Sequence, residues 1–179
     1  MMTKRQRQRG SQTLEFTLLG IPLTFLLFSI ANMSFAMLTL HTLQEANEQG
    51  ARFASTRGSS CSSGTNTCGV KIQQIADVIA NAAAGISTSK LKVTFTPPTG
   101  GTTVTCTNLN VCVSTCSAGC SGSRTLAWPD GTNNSPGQDI TIAADCTLVA
   151  PMFMFWTGST PSKISSTTFH ATSRQRLMF

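Results

Sequence analysis

Phe16 to Leu40, FTLLGIPLTFLLFSIANMSFAMLTL, is a run of 25 residues without a charged side chain, and the next ionisable group is His41. As a helix it would rise about 38 Å at roughly 1.5 Å per residue, enough to cross a hydrocarbon core of about 30 Å. Its polar members, Thr17, Thr24, Ser29, Asn32, Ser34 and Thr39, are all uncharged. Hydroxyls of this kind can bond back to helix carbonyls or across to a neighbouring helix. Pro22 removes one helix donor and is expected to bend the segment locally. The stretch therefore predicts a transmembrane helix. A secretory signal has the same order of parts, but its apolar region is about 7 to 15 residues long and ends at a small-x-small site. This run is longer and no such site cleanly ends it.

Outward from the run, residues 1–10 are MMTKRQRQRG, with Lys4, Arg5, Arg7 and Arg9 and no acidic residue. The positive-inside bias places that side in the cytoplasm, so everything after Leu40 is expected to be extracytoplasmic. These four residues also account for most of the formal net charge of +6, leaving nine basic against seven acidic residues in the rest of the chain. A nucleic-acid-binding protein would carry a basic cluster on its folded part, which is not found here. With 40% hydrophobic and 11% charged residues the chain is not a disordered tail either. At the entrance to the apolar run stands Glu15, a carboxylate whose place is expensive unless it is paired, neutralised or wet, and which is therefore a functional candidate.

The run Arg9-Gly10-Ser11-Gln12-Thr13-Leu14-Glu15-Phe16, basic before and apolar after, resembles a type IV prepilin processing site. The resemblance extends through Leu43–Gly58, LQEANEQGARFASTRG, which is similar to the small-residue and arginine stretch that follows the membrane helix in TadE-like pseudopilins of tight-adherence (Flp) pilus systems. Ile164–Arg176, ISSTTFHATSRQR, is similar to the closing strand of those proteins. The resemblance implies cleavage between Gly10 and Ser11 by a membrane aspartic peptidase, with Glu15 the fifth mature residue and, beside Phe16, the group that sets register during assembly. It also implies partners: a prepilin peptidase, inner-membrane platform proteins driven by an ATPase, the major Flp pilin and other minor pilins. The implied location is the bacterial inner membrane, single-pass with a cytoplasmic N-terminus, and then the extracellular pilus after assembly.

Physical chemistry supports this reading of the motif. Glycine lacks a Cβ and can be drawn into an extended conformation by a peptidase. Cleavage would leave a Ser11 ammonium one helical turn from the Glu15 carboxylate, so a neighbour's ammonium could pair with that carboxylate as helices stack.

Past the apolar run the helix is expected to continue. Leu40, Leu43, Asn47, Gly50 and Ala54 fall at three- and four-residue steps, with Gln44, Glu45, Glu48 and Arg52 on the polar face and a stop at Arg57-Gly58. His41, Glu45 and Glu48 have superficial metal-ligand spacing, but such sets are common on helix surfaces and no metal is expected. A second helix is predicted from about Val70 to Ile86 on the spacing of Ile72, Ile75, Ile79 and Ile86. Period-two alternation predicts strands over Lys92–Thr96, Thr102–Thr107, Asp139–Ala143 and Thr167–Ser173, with a turn at Pro97–Gly101. Helices first and strands after predict an α+β fold with an antiparallel sheet of about four strands. The expected organisation is a leader over 1–10, a transmembrane and stalk helix over 11–57, and an extracytoplasmic head over 58–179 with a disulfide-rich insertion at about 103–147.

Seven cysteines, Cys61, Cys68, Cys106, Cys112, Cys116, Cys120 and Cys146, all fall after the apolar run, where an oxidising compartment makes disulfides their expected fate. Six can pair and one is left over, so the connectivity stays open. Cys61 with Cys68, closing a short polar loop, is the favoured single pair. The set Cys106, Cys112, Cys116 and Cys120 lacks CxxC spacing and a nearby histidine, so neither zinc nor an iron-sulfur cluster is expected.

Leu148–Trp156, LVAPMFMFW, is either a buried strand or, through Met152, Phe153, Phe155 and Trp156, an apolar contact for another subunit or for lipid. No GxSxG elbow, HExxH pair or glycine-rich phosphate loop with lysine is present, so neither enzyme activity nor a cofactor is expected. Two function classes follow. One is a TadE-like minor pilin that supports biogenesis of an adhesive pilus. The other is a membrane-anchored extracytoplasmic binding module or adhesin that does not polymerise.

Overall fold

The structure is a computed structural model and describes residues 4–57, 62–63, 66–67, 69–98, 101–115, 122–129, 134–149 and 166–178. Helix α1 runs unbroken from Lys4 to Ser55 with Pro22 inside it. The helical backbone takes in the leader residues from Lys4 and ends at Ser55, two residues before Arg57 of the expected Arg57-Gly58 stop. A two-residue hairpin, β1 (Ser62–Ser63) with β2 (Asn66–Thr67), leads to α2 (Ile72–Ala82).

The predicted start of α2 at Val70 gives way to Ile72, because Val70 and Lys71 are drawn into an extended pairing with the segment around Ala127. Ile72 N–H donates to Leu126 O (3.1 Å), and Trp128 N–H donates to Val70 O (3.0 Å). The Gln74 side chain accepts from the Lys71 N–H at 2.9 Å, satisfying a donor at the helix start. At the other end Ala83 leaves helical geometry and Gly85 sits at φ +83°, so Ile86 lies beyond the helix. A left-handed residue of this kind is where glycine is favoured after a helix end.

Four strands follow: β3 (Leu91–Thr96), β4 (Val104–Cys106), β5 (Asp139–Val149) and β6 (Ser166–Arg176), all antiparallel in the order β4-β3-β5-β6. The α+β expectation holds. The strand bounds differ from the sequence reading. β3 begins one residue before the expected Lys92, and β6 extends past the expected Thr167–Ser173 at both ends. β4 is shorter than Thr102–Thr107, and β5 continues six residues past Ala143 because its alternation persists: Ile140, Ile142, Ala144 and Cys146 face inward while Thr141, Ala143 and Asp145 face outward.

The inner face of the sheet, with Leu91, Val93, Phe95, Ile140, Ile142, Ala144 and Ala171, packs against α2 and the C-terminal part of α1. α2 contributes Ile72, Ile75, Ala76 and Ile79. Trp128 caps one end of this core edge-on to Phe95, with ring centroids 5.5 Å apart. The outer face carries Lys92, Asp145, Asp139, Arg174 and Arg176 in cross-strand ion pairs, with His170 hydrogen-bonded to Asp145.

Candidate functional site

The chain's most distinctive surface is the part of α1 that the head leaves bare. Leu14, Phe16, Leu18, Leu19, Ile21, Leu23, Phe25 and the large apolar residues on to Leu38 are all exposed, Phe16 at 80%. They lie all round the helix and not on one stripe, and the most apolar part of this segment is covered nowhere by the rest of the chain. A helix apolar on every face belongs in lipid or among other helices. By length and composition it is a candidate membrane span.

Local chemistry adapts the span to such surroundings. Thr17 Oγ1 donates to Thr13 O (2.8 Å), Thr24 to Ile21 O (2.8 Å), Ser34 to Ile30 O (2.9 Å) and Thr39 to Phe35 O (2.8 Å). Each hydroxyl is thus satisfied within its own helix and needs no water.

Gly10 and Ser11 fall within the continuous backbone of α1, one turn before Glu15, and their side chains lie outside what is described. Glu15 and Phe16 both stand on the exposed part of the helix, Glu15 at the boundary between the basic and apolar segments.

Toward its C-terminal end α1 becomes part of the head. Leu43, Ala46, Asn47, Gly50, Ala51, Ala54 and Ser55 form the buried face, at the spacing expected of a helix packed on one side. Two of these residues do more than fill space. Asn47 is 1% exposed, and its Nδ2 donates to Ile142 O at 2.8 Å and Ala171 O at 3.2 Å, tying α1 to the paired strands β5 and β6. Its Oδ1 is buried without a hydrogen-bond partner. Gly50 faces α2 so closely that a Cβ there would meet Ile79 Cγ1 at 2.5 Å.

The GAR.A..RG pattern thereby acquires a physical meaning. Gly50 allows close approach and Ala51 and Ala54 are buried, whereas Arg52 points outward to Glu48 and the Arg57 guanidinium lies 3.9 Å from the Phe53 ring centroid. The far end of the chain is fastened here too, as Met178 N–H donates to Ser55 O at 3.1 Å. The exposed membrane segment is thus one rod with the buried spine of the head. Asn47 and Gly50 were legible in the sequence as members of the stripe; their roles as clamp and contact point depend on partners about 30 to 124 residues away.

Among the cysteines, Cys106 in β4 bonds Cys112, with a Cα–Cα distance of 6.0 Å. Cys146 in β5 carries a free, buried thiol. Burial pushes that thiol above its ordinary range, against a smaller opposing effect of the Lys90 ammonium. Cys61, Cys68, Cys116 and Cys120 lie outside the described residues, so the Cys61–Cys68 expectation falls there, as does the expected contact through Met152, Phe153, Phe155 and Trp156.

His41 is exposed, Glu45 accepts from Gln49 at 3.0 Å and Glu48 pairs with Arg52. Among the described residues no group of three or more His, Cys, Asp or Glu is placed to hold a metal ion. His170 Nδ1 meets Asp145 Oδ1 at 2.7 Å across β5 and β6, and Lys92 approaches the other carboxylate oxygen at 4.0 Å. With His170 70% exposed, this is a solvated polar contact of small energetic weight.

Comparison with protein families finds a match to TadE-like proteins over residues 10–52. The matched segment contains the Gly10–Ser11 bond, Glu15, the whole apolar run and the clamp residues Asn47 and Gly50. It ends at Arg52, so the likeness of Ile164–Arg176 rests on the sequence resemblance. No curated protein and no solved structure matches the chain. Over its N-terminal segment the chain is similar to TadE-like proteins, which suggests an association with Tad pili, and its N-terminal apolar helix fits a single-pass membrane anchor by length and composition.

Proposed function

We propose that the chain is a minor pilin or pseudopilin of a Tad pilus system, made as a precursor, cut between Gly10 and Ser11 by a prepilin peptidase, and assembled through α1. The observation that carries this reading is the exposed apolar helix, rigidly continuous with the head and lying within the TadE-like segment. The basic leader, with Lys4, Arg5, Arg7 and Arg9, holds the N-terminus in the cytoplasm and the head outside.

The scissile bond lies within helical backbone, so the peptidase must open a turn to reach it. Gly10 is the natural weak point, since glycine lowers helix stability by about 1 kcal/mol relative to alanine. After cleavage the Ser11 ammonium of one subunit pairs with the Glu15 carboxylate of another, which sets their axial register. α1 then passes from lipid into a helical array whose head-to-tail contacts do not close. Inner-membrane platform proteins and the major pilin are the partners of this step. The role is structural, with no reaction carried by the head.

Recovery of sheared pili tests the proposal: the chain should co-sediment with filaments and disappear from them in cells lacking the prepilin peptidase. A chain that stays entirely in the cell membrane while pili form normally would favour the anchored binding module.

A further inference from the structure

The six uncharged polar side chains of the apolar run divide into two groups. Thr17, Thr24, Ser34 and Thr39 bond to their own helix, whereas Ser29 and Asn32 have no side-chain hydrogen bond among the described residues. A serine hydroxyl can rotate onto a carbonyl one turn back, but a carboxamide has two donor hydrogens and an acceptor oxygen that its own helix cannot all satisfy. Asn32 lies only four residues from the middle of Phe16–Leu40, well inside the apolar span. An unpaired amide there is costly and seeks a partner in a neighbouring helix.

We propose that Asn32 forms a hydrogen-bonded contact between two copies of this chain within the membrane. The proposal rests on the reading that Phe16–Leu40 lies in lipid. Three features identify the occupant as a second copy. A carboxamide is self-complementary, so two can exchange reciprocal N–H to O=C bonds. Every copy inserts with the same polarity, which brings Asn32 to one depth in each. Ser29 and Ala36, one turn to either side on the same face, are small enough to let two helix backbones approach. Leu27 lies on the opposite face, given about 100° per residue.

Cross-linking of the full chain in membranes tests this. Cysteine is placed singly at Ser29, Ala36 or Leu27, each with Asn32 intact, with Asn32→Leu and with Asn32→Gln. The parent chain reports background from the native thiols. Oxidation should give dimer above background from Ser29→Cys and Ala36→Cys but not from Leu27→Cys. Asn32→Leu should reduce that yield about tenfold, and Asn32→Gln should restore part of it. Equal yields with Asn32→Leu, equal yields from Leu27→Cys, or no dimer above background would overturn the contact while leaving the membrane reading intact. Release of the chain by an alkaline wash would overturn both.

Discussion

Gly50 of α1 lies directly beneath Ile79 of α2, close enough that a Cβ at Gly50 would stand 2.5 Å from Ile79 Cγ1 and 2.8 Å from its Cδ1. This contact joins the membrane rod to the head. Ile79 is fully buried, so it cannot swing outward to make room. Gly50→Val should therefore push α1 and α2 apart and destabilise the head by about 1–3 kcal/mol, the usual range for overpacking. Thermal unfolding of the detergent-solubilised full chain measures this, and an unchanged midpoint would show that the two helices can separate freely.

Asn47 supplies the second fastening. Replacing it with alanine removes both donors to Ile142 O and Ala171 O and leaves those acceptors in the core. The expected loss is about 1–3 kcal/mol, a penalty for unsatisfied buried groups. Limited proteolysis should show the exposed α1 segment released from the head at lower denaturant than in the parent chain. Equal resistance would mean that apolar packing alone seats the helix.

The thiols should separate into distinct chemical classes. Cys146 is buried, and burial raises its pKa, so at pH 8 its thiolate fraction is smaller than that of a free cysteine. Peptide mapping should find it unlabelled in native protein and labelled in denaturant without reductant. Raising the pH toward the elevated pKa should increase labelling only insofar as the thiol becomes accessible. Cys106 and Cys112 should label only after reduction. Rapid native labelling of Cys146 would contradict its place in the core.

What the sequence disclosed, and what it hid, follows from how local each signal is. The absence of charge from Phe16 to Leu40 and the isoleucine spacing in α2 are properties of contiguous residues, so both helices were legible. β5 was read short because Ala143, Ala144 and Asp145 are poor strand formers, although the inward and outward alternation continues through them. Asn47 read as one member of a stripe. Its function as a clamp depends on carbonyls 95 and 124 residues away, which only the strand register places under the helix. The pairing of His170 with Asp145 was hidden for the same reason, since it arises from the β5–β6 register.

A substitution at Glu15 separates processing from assembly. Glu15→Ala should still be cleaved, because the scissile bond and leader are untouched, but its incorporation into filaments should fall about tenfold or more for want of the register pair. Immunoblots of membranes and sheared pili would measure both, and normal incorporation would remove Glu15 from the assembly contact.

The N-terminus of the protein recovered from membranes tests the central claim most directly, by intact mass and terminal sequencing in parent and Gly10→Ala chains. The account predicts a start at Ser11 in the parent and an uncut leader in the variant. A parent chain that still begins at Met1 or Met2 in cells with an active prepilin peptidase, or a start beyond Leu40, would contradict it.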